Sequence, residues 1–239
     1  MMKMAIIKGI LLGTLLLLPV LSWPQAQDLK TIRLNEPNKK RGLPVMEALS
    51  VRASVREWSD KEVSLQDLSD LLWAANGINR PDSKKRTAAS AQNAQDVDIY
   101  VFMKDGAYLY DAAGHVLLPV VASDYRNEIG MRPAGPPGAK PGTQPMPKPG
   151  GGPQSPAPIQ LILVSDASRF SSGTPERKYE WGAIDTGIVS QNIGLFCAAT
   201  GMATRPRASI DQDLVKSLLK LKDTQHAFLN HPIGYPKSD

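Results

Sequence analysis

The sequence predicts an α+β domain, and three observations carry the prediction. Short β-branched and aromatic runs in the middle of the chain are joined by tight turn signals. A capped amphipathic helix precedes them, and a long apolar helix rich in small residues follows. With 239 residues, 42% hydrophobic and 21% charged, the chain is long enough for one well-cored domain or two small ones.

In chain order, residues 1–27 carry lysines at 3 and 8, an apolar run through Leu21, and then Ser22, Pro24 and small or polar residues. This is the layout of a secretory signal peptide. The run is short for a membrane span of about 20 residues, so the reading is cleavage between Gln25 and Asp28, with an uncleaved anchor as the alternative and the sole membrane contact. Export implies a periplasmic location. Without Lys3 and Lys8 the chain keeps 26 basic and 23 acidic residues, an excess too small for a nucleic-acid binder. Cys197 is the sole cysteine, so no intrachain disulfide forms, and its apolar neighbours mark it as a buried structural thiol.

Residues 28–239 form the predicted domain. Residues 28–47 read as an extended, charged arm. Ser64 and Asp67 suit a helix start, Leu65, Leu68, Leu71, Leu72 and Ala75 recur at helical spacing, and Gly77 stops the helix. Strands are expected at "VDIYVF", "AYLYDA" and "HVLLPVV", with turns at Asp105-Gly106 and Ala113-Gly114. The Pro/Gly-dense residues 131–158 read as a flexible insertion, after which the strand "IQLILVSD" resumes. The stretch "YEWGAIDTGIVSQNIGLFCAATGM" is apolar on nearly every face, which predicts a helix buried on all sides. Its small residues would let another backbone approach, as at the centre of a dimer. A shorter helix around Leu214, Leu218 and Leu219 follows, and "HAFLNHPIGYPK" closes the domain as a strand and turn.

His115, His226 and His231 show neither metal-ligand spacing nor pairing with Cys197, and no GxSxG, HExxH, P-loop or GxGxxG motif is present. No metal site and no catalytic side chain is expected. Such a chain either binds a ligand or takes its chemistry from a cofactor. On composition alone, Arg52, Ser54 and Arg56 read as a basic loop before a helix.

The order of four segments changes that reading. "VRASVREWSDKEVSLQDLSDLLWAANGI" resembles the opening of the FMN-dependent nitroreductase family: R-x-S-x-R/K, then Phe or Trp, then a helix of the type V(S/P)xxxLxxLLxAA. "RTAASAQNAQDVDIYV" is similar to the family's PSxxNxQPWxFxVV, with Asn93 and Gln95 on its asparagine and glutamine. In the thiazole/oxazole-type dehydrogenase subgroup that segment reads PSAGALYPLEIYV, and "GAYLYDAAGHVL" resembles the hairpin after it. "WGAIDTGIVSQNIGLFCAATGMAT" resembles the family's central helix, and "IGYPK" its closing turn.

The resemblance implies a mixed, mostly antiparallel sheet packed with helices and an interlocked homodimer with two FMN molecules at its interface. It implies ping-pong hydride transfer through flavin N5 to or from a small organic substrate. Arg52 would hold the phosphate across the neutral Ala53, Ser54 would bond phosphate or ribityl oxygens, and Arg56 would face the N1/O2 ring edge. Asn93, with Gln95 beside it, would approach from the other side, and Lys237 would add a phosphate cation. The enteric-type segment PIEGFD is "PRASID" here, so Ala208 and Ser209 stand where a glutamate and a glycine lie near N5; the Ser209 N–H keeps that contact open. The family's proline before Ser90 is Ala89. NADH or NADPH as donor sits uneasily with export. The rival reading is therefore an exported, non-catalytic flavin- or ligand-binding protein that retains the fold.

Overall fold

The computed structural model describes residues 29–130 and 156–237. The predicted leader, 1–27, and nearly all of the predicted insertion, 131–158, lie outside them. The elements run β1 (Ile32–Arg33), α1 (Val45–Val51), α2 (Leu65–Asn76), β2 (Ile78–Arg80), β3 (Lys85–Arg86), β4 (Val97–Phe102), β5 (Gly106–Asp111), β6 (Val116–Ala122), β7 (Ile159–Asp166), α3 (Pro175–Thr200), β8 (Ala203–Thr204), α4 (Gln212–Leu219) and β9 (Gln225–Gly234).

Seven strands form one sheet in the order β1-β6-β5-β4-β7-β9-β8, and each described pairing is antiparallel. The twofold alternation of β4 divides the interior. Val97, Ile99 and Val101 join a core with Leu68, Leu71 and Leu72 of α2 and Val189 and Ile193 of α3. Tyr100 and Phe102 point the other way, onto Ile129, Ile210 and the Val215–Leu219 face of α4. Strand β7 lies between the two cores, and all eight of its residues are buried. It therefore reads as a continuous apolar run with buried polar ends.

Helix α2 starts as expected, with the Ser64 side chain accepting the Asp67 N–H and Gly77 at its end. The arm before it is extended and tied down: Arg41 bonds Asp67 at 2.6 Å and Asp70 at 2.8 Å, and the Asn35 N–H donates to Ser69 Oγ. The two-residue strand β8 was not foreseen, nor were two larger features. One is α1, whose only buried residue is Ala48 and whose Val45, Met46, Leu49 and Val51 are exposed. The other is the small β2-β3 hairpin within an expected polar loop.

Helix α3 corrects one expectation. It is not buried on all sides within the chain: Ala183, Ile184, Gly187 and Gln191 form an open face, with Ile184 59% exposed. Its polar residues Asp185, Thr186 and Ser190 are instead turned inward. The glycines divide in the same way. A Cβ on Gly182 would come within 2.3 Å of Ser165 Oγ, so glycine is what lets α3 lie against β7 there. At Gly187 and Gly194 nothing stands within 4 Å. Gly201, at φ 72°, closes the helix in the left-handed conformation.

Candidate functional site

The arginine segment leaves α1 and runs along the end of the sheet where β8 and β9 meet. The Val55 N–H donates to Thr204 O at 3.0 Å, Trp58 pairs with Pro236, and the Ser59 N–H donates to Tyr235 O at 2.9 Å. Arg52, Ala53, Ser54 and Arg56 are all exposed along this edge, as is Lys237 next to Pro236. The fold thus brings the arginine segment and the closing turn of the chain together at one place.

Ala208 and Ser209 belong to the same place, and a residue not foreseen from sequence holds them there. Asn230 is fully buried in β9. Its backbone exchanges two hydrogen bonds with Arg207, at 2.9 and 2.8 Å. Its Oδ1 accepts from Arg207 Nε at 2.7 Å, and its Nδ2 donates to Ser209 O at 2.6 Å. Residues 207–209 are therefore fixed from both backbone and side chain. The available signal was the Asn230-His231 pair, two polar residues inside the core-forming half of β9. His231 is structural: it bonds Ser190 and Thr204, and burial pushes its imidazole down to about 3, so it stays neutral.

Arg207 also lines a cavity of about 140 Å³, together with Trp58, Arg126, Gly130, Gln160 and Arg205. Burial, followed by the neighbouring Arg56, lowers the Arg205 pKa; burial, followed by Arg205, lowers that of Arg207. The guanidiniums remain charged at any working pH, so these shifts express the cost of holding like charges out of water. Arg205 Nε is buried without a hydrogen-bond partner. A larger cavity of about 710 Å³ lies between Ser59–Leu68 and Met103–Asp105. Its charged lining is mixed (Asp60, Glu62, Asp105, Lys104 and Arg126), and it touches none of the predicted cofactor residues.

Asn93 and Gln95 are elsewhere. They sit in the turn before β4, at the end of the sheet where Val97 pairs with Ser165 and Asp166 with Gln225. The arginine segment is at the opposite end, where Ile159 pairs with Ile233. Seven residue steps of β7 separate the two, about 23 Å at 3.3 Å per residue. The Asn93 side is strongly built. The Ala91 N–H donates to Asp185 Oδ2 at 2.8 Å, and the Gln92 carboxamide holds Ser171 and Ser172. Gln95 has its side chain committed, accepting from Arg86 Nε and donating to Lys84 O, so it serves the hairpin. Asn93 is exposed with φ 54°.

Beneath this turn, Asp96 is fully buried. It accepts from Ser165 Oγ, while Oδ1 has no hydrogen-bond partner. Burial, opposed by the Ser165 bond and reinforced by the neighbouring Asp185 carboxyl, raises its pKa to about 7.

Comparison with known proteins places this arrangement. The family model described as the nitroreductase family matches residues 49–235. A protein of Methanocaldococcus jannaschii named for the same family is 24% identical over 216 residues, covering 88% of this chain and 94% of that protein. Among solved structures, a nitroreductase-named protein of Ralstonia eutropha JMP134 superposes with a TM-score of 0.75 at 28% identity, covering 88% of this chain and 91% of its own. A chain of the Escherichia coli microcin synthetase McbBCD complex shares the fold, with a TM-score of 0.62 at 15% identity and coverage of 78% and 70%.

Proposed function

Because the chain belongs to the nitroreductase family, we propose that it is an FMN-dependent oxidoreductase whose complete site takes one half from each of two chains. The observation that carries this reading is the separation of the predicted cofactor residues to opposite ends of β7. One flavin cannot touch both sets within a single chain. A twofold partner brings the Asn93 turn of one chain to the arginine edge of the other. The open face of α3 and the exposed apolar residues of α1 supply surface for such a contact.

The residues at the arginine edge fit the cofactor. Arg52 and Arg56 are exposed and have no carboxylate partner among the described residues, so both guanidiniums are open to an anionic cofactor. Arg52 and Lys237 would hold the phosphate, with Ser54 on phosphate or ribityl oxygens. Arg56 would face the ring edge where negative charge accumulates on reduction, and so favour the reduced state electrostatically. Asn230 keeps the Ala208–Ser209 backbone in a fixed line at the reacting edge. FMN, when bound, supplies hydride transfer at N5, alternately from a donor and to an acceptor. Small organic molecules are the substrate class. NADH or NADPH is the first donor to test, and the thiazole/oxazole-type dehydrogenases are the subgroup that the segment before the hairpin favours. Export to the periplasm belongs to the same proposal and rests on the composition of residues 1–27.

The test begins with colour. Purified protein that shows no flavin absorbance even after incubation with FMN refutes the proposal. Stoichiometric FMN binding by a strictly monomeric chain refutes the two-chain site. Anaerobic bleaching of the bound flavin by NADH or NADPH is the expected result for a reductase. Bound flavin that no donor bleaches leaves a passive flavin-binding protein.

A further inference from the structure

We propose that the cavity between Trp58, Gln160, Arg205 and Arg207 is an oxyanion site that receives the carboxylate or phosphate group of the small molecule meeting the flavin. The substrate role rests on the functional reading above; the anion site itself does not.

The arginines of this region are treated in two different ways. Arg126, at the cavity rim, is neutralised: Asp124 takes its Nε at 2.8 Å and a terminal nitrogen at 2.6 Å, and Pro158 O accepts at 2.9 Å. Its role is to hold two chain segments together. Arg207 is held as firmly, but by uncharged acceptors, Asn230 Oδ1 at 2.7 Å and Gln160 Oε1 at 2.9 Å. Amide oxygens fix the direction of a guanidinium without cancelling its charge. The remaining terminal nitrogen of Arg207 keeps its donors, and the cation is already oriented before any ligand arrives.

Arg205 adds the second cation and a buried Nε–H that no atom of the described residues accepts. Among the described residues no Asp or Glu lines the cavity, and neither Arg205 nor Arg207 has an ion-pair partner. Two half-buried guanidiniums side by side, with Arg56 next to the first, repel one another unless an anion lies between them. Burial first, and this repulsion second, lower the pKa of both side chains. A volume of about 140 Å³ holds a carboxylate or phosphate head with part of its carrier. The location gives the site its meaning: Arg207 immediately precedes Ala208 and Ser209, so an anion anchored there orients its carrier toward the reacting edge.

The full chain is titrated calorimetrically at constant chloride ionic strength, with and without saturating FMN. The probes are benzoate, phenyl phosphate and neutral benzyl alcohol. The proposal expects at least one anion to bind both forms while benzyl alcohol does not. A preference for benzoate points to an organic acid as the carrier, and one for phenyl phosphate to a phosphorylated carrier such as a nucleotide donor. Arg205→Gln should weaken the anion about tenfold and leave FMN affinity, read from flavin fluorescence, unchanged. Arg205→Lys, which keeps the charge but loses the fork, should fall between and guards against a folding defect. Equal binding of benzyl alcohol, absence of anion binding, displacement of the anion by FMN, or loss of FMN rather than anion in Arg205→Gln would each overturn it. A protein that binds benzoate through Arg205 but never binds FMN keeps the anion site and refutes the flavin reading alone.

Discussion

Asp96→Asn should make the protein progressively more stable than the wild type as pH rises from about 4 to about 7. In the folded chain the Asp96 pKa is about 7, because the carboxyl is fully buried, carries an unpaired Oδ1 and lies against Asp185. In the unfolded chain an aspartate titrates near 3.9. Between these values the folded state holds a proton that the unfolded state has released. Stability from this group is therefore complete below the unfolded pKa and is lost as pH rises through the folded one. The slope is about 1.4 kcal/mol per pH unit, and the whole window amounts to on the order of 4 kcal/mol. An asparagine stays neutral throughout and can still accept from Ser165 Oγ through its amide oxygen. His231 works in the opposite direction: its pKa, depressed to about 3, adds stability that is lost as pH falls below the usual histidine range. That contribution is common to both proteins and cancels in their difference. The assay is urea unfolding of both proteins across the window, comparing the difference in unfolding free energy at each pH. A difference that is flat with pH, or that shrinks as pH rises, refutes the assignment of a buried, protonated Asp96.

Arg52→Ala should weaken FMN binding about tenfold or more, while Arg56→Ala should mainly lower the flavin reduction potential; fluorescence titration and anaerobic redox titration separate the two. Gly182→Ala should destabilise by about 1–3 kcal/mol, since its Cβ meets Ser165 Oγ, whereas Gly194→Ala in the same helix should stabilise by up to about 1 kcal/mol. Thermal unfolding of the pair checks the contrast, and equal effects would contradict the packing of α3 on β7. Ile184→Glu on the open face of α3 should shift the assembly toward single chains and reduce flavin occupancy with it, as read by light scattering and absorbance.

Much of the fold was legible because its signals are local. Ser64 and Gly77 bound α2 where the capping chemistry places them, and β4, β5, β6 and β7 follow from β-branched runs and turn pairs. Helix α1 was not legible: it has no side-chain cap, buries only Ala48 and follows Pro44, so it presents neither a start signal nor an inward apolar face. The long helix was identified, but not its orientation. Composition alone could not tell Gly182, pressed on β7, from Gly187, which faces outward. At the site, the arginine motif was readable as a pattern along the chain. The cluster of Arg56, Arg205 and Arg207 was not, because it depends on Asn230 and Gln160 arriving from two neighbouring strands. The wide separation of Asn93 from Arg52 was also out of reach, being a property of sheet register.

The Asn230 clamp has a consequence for solubility. Strand β8 covers only the last turn-proximal part of β9, pairing Ala203 and Thr204 with Gly234 and Ile233. Farther along, it is the bridge to Arg207 that occupies the outward backbone groups of Asn230. Unpaired strand edges are templates for pairing with other chains. A variant that frees residues 207–209 therefore loses more than the backbone line beside Ser209: it uncovers backbone donors and acceptors along the rim of β9. Inactive variants at this position are expected among aggregated rather than merely silent protein, linking ligand contact and colloidal behaviour in one short segment.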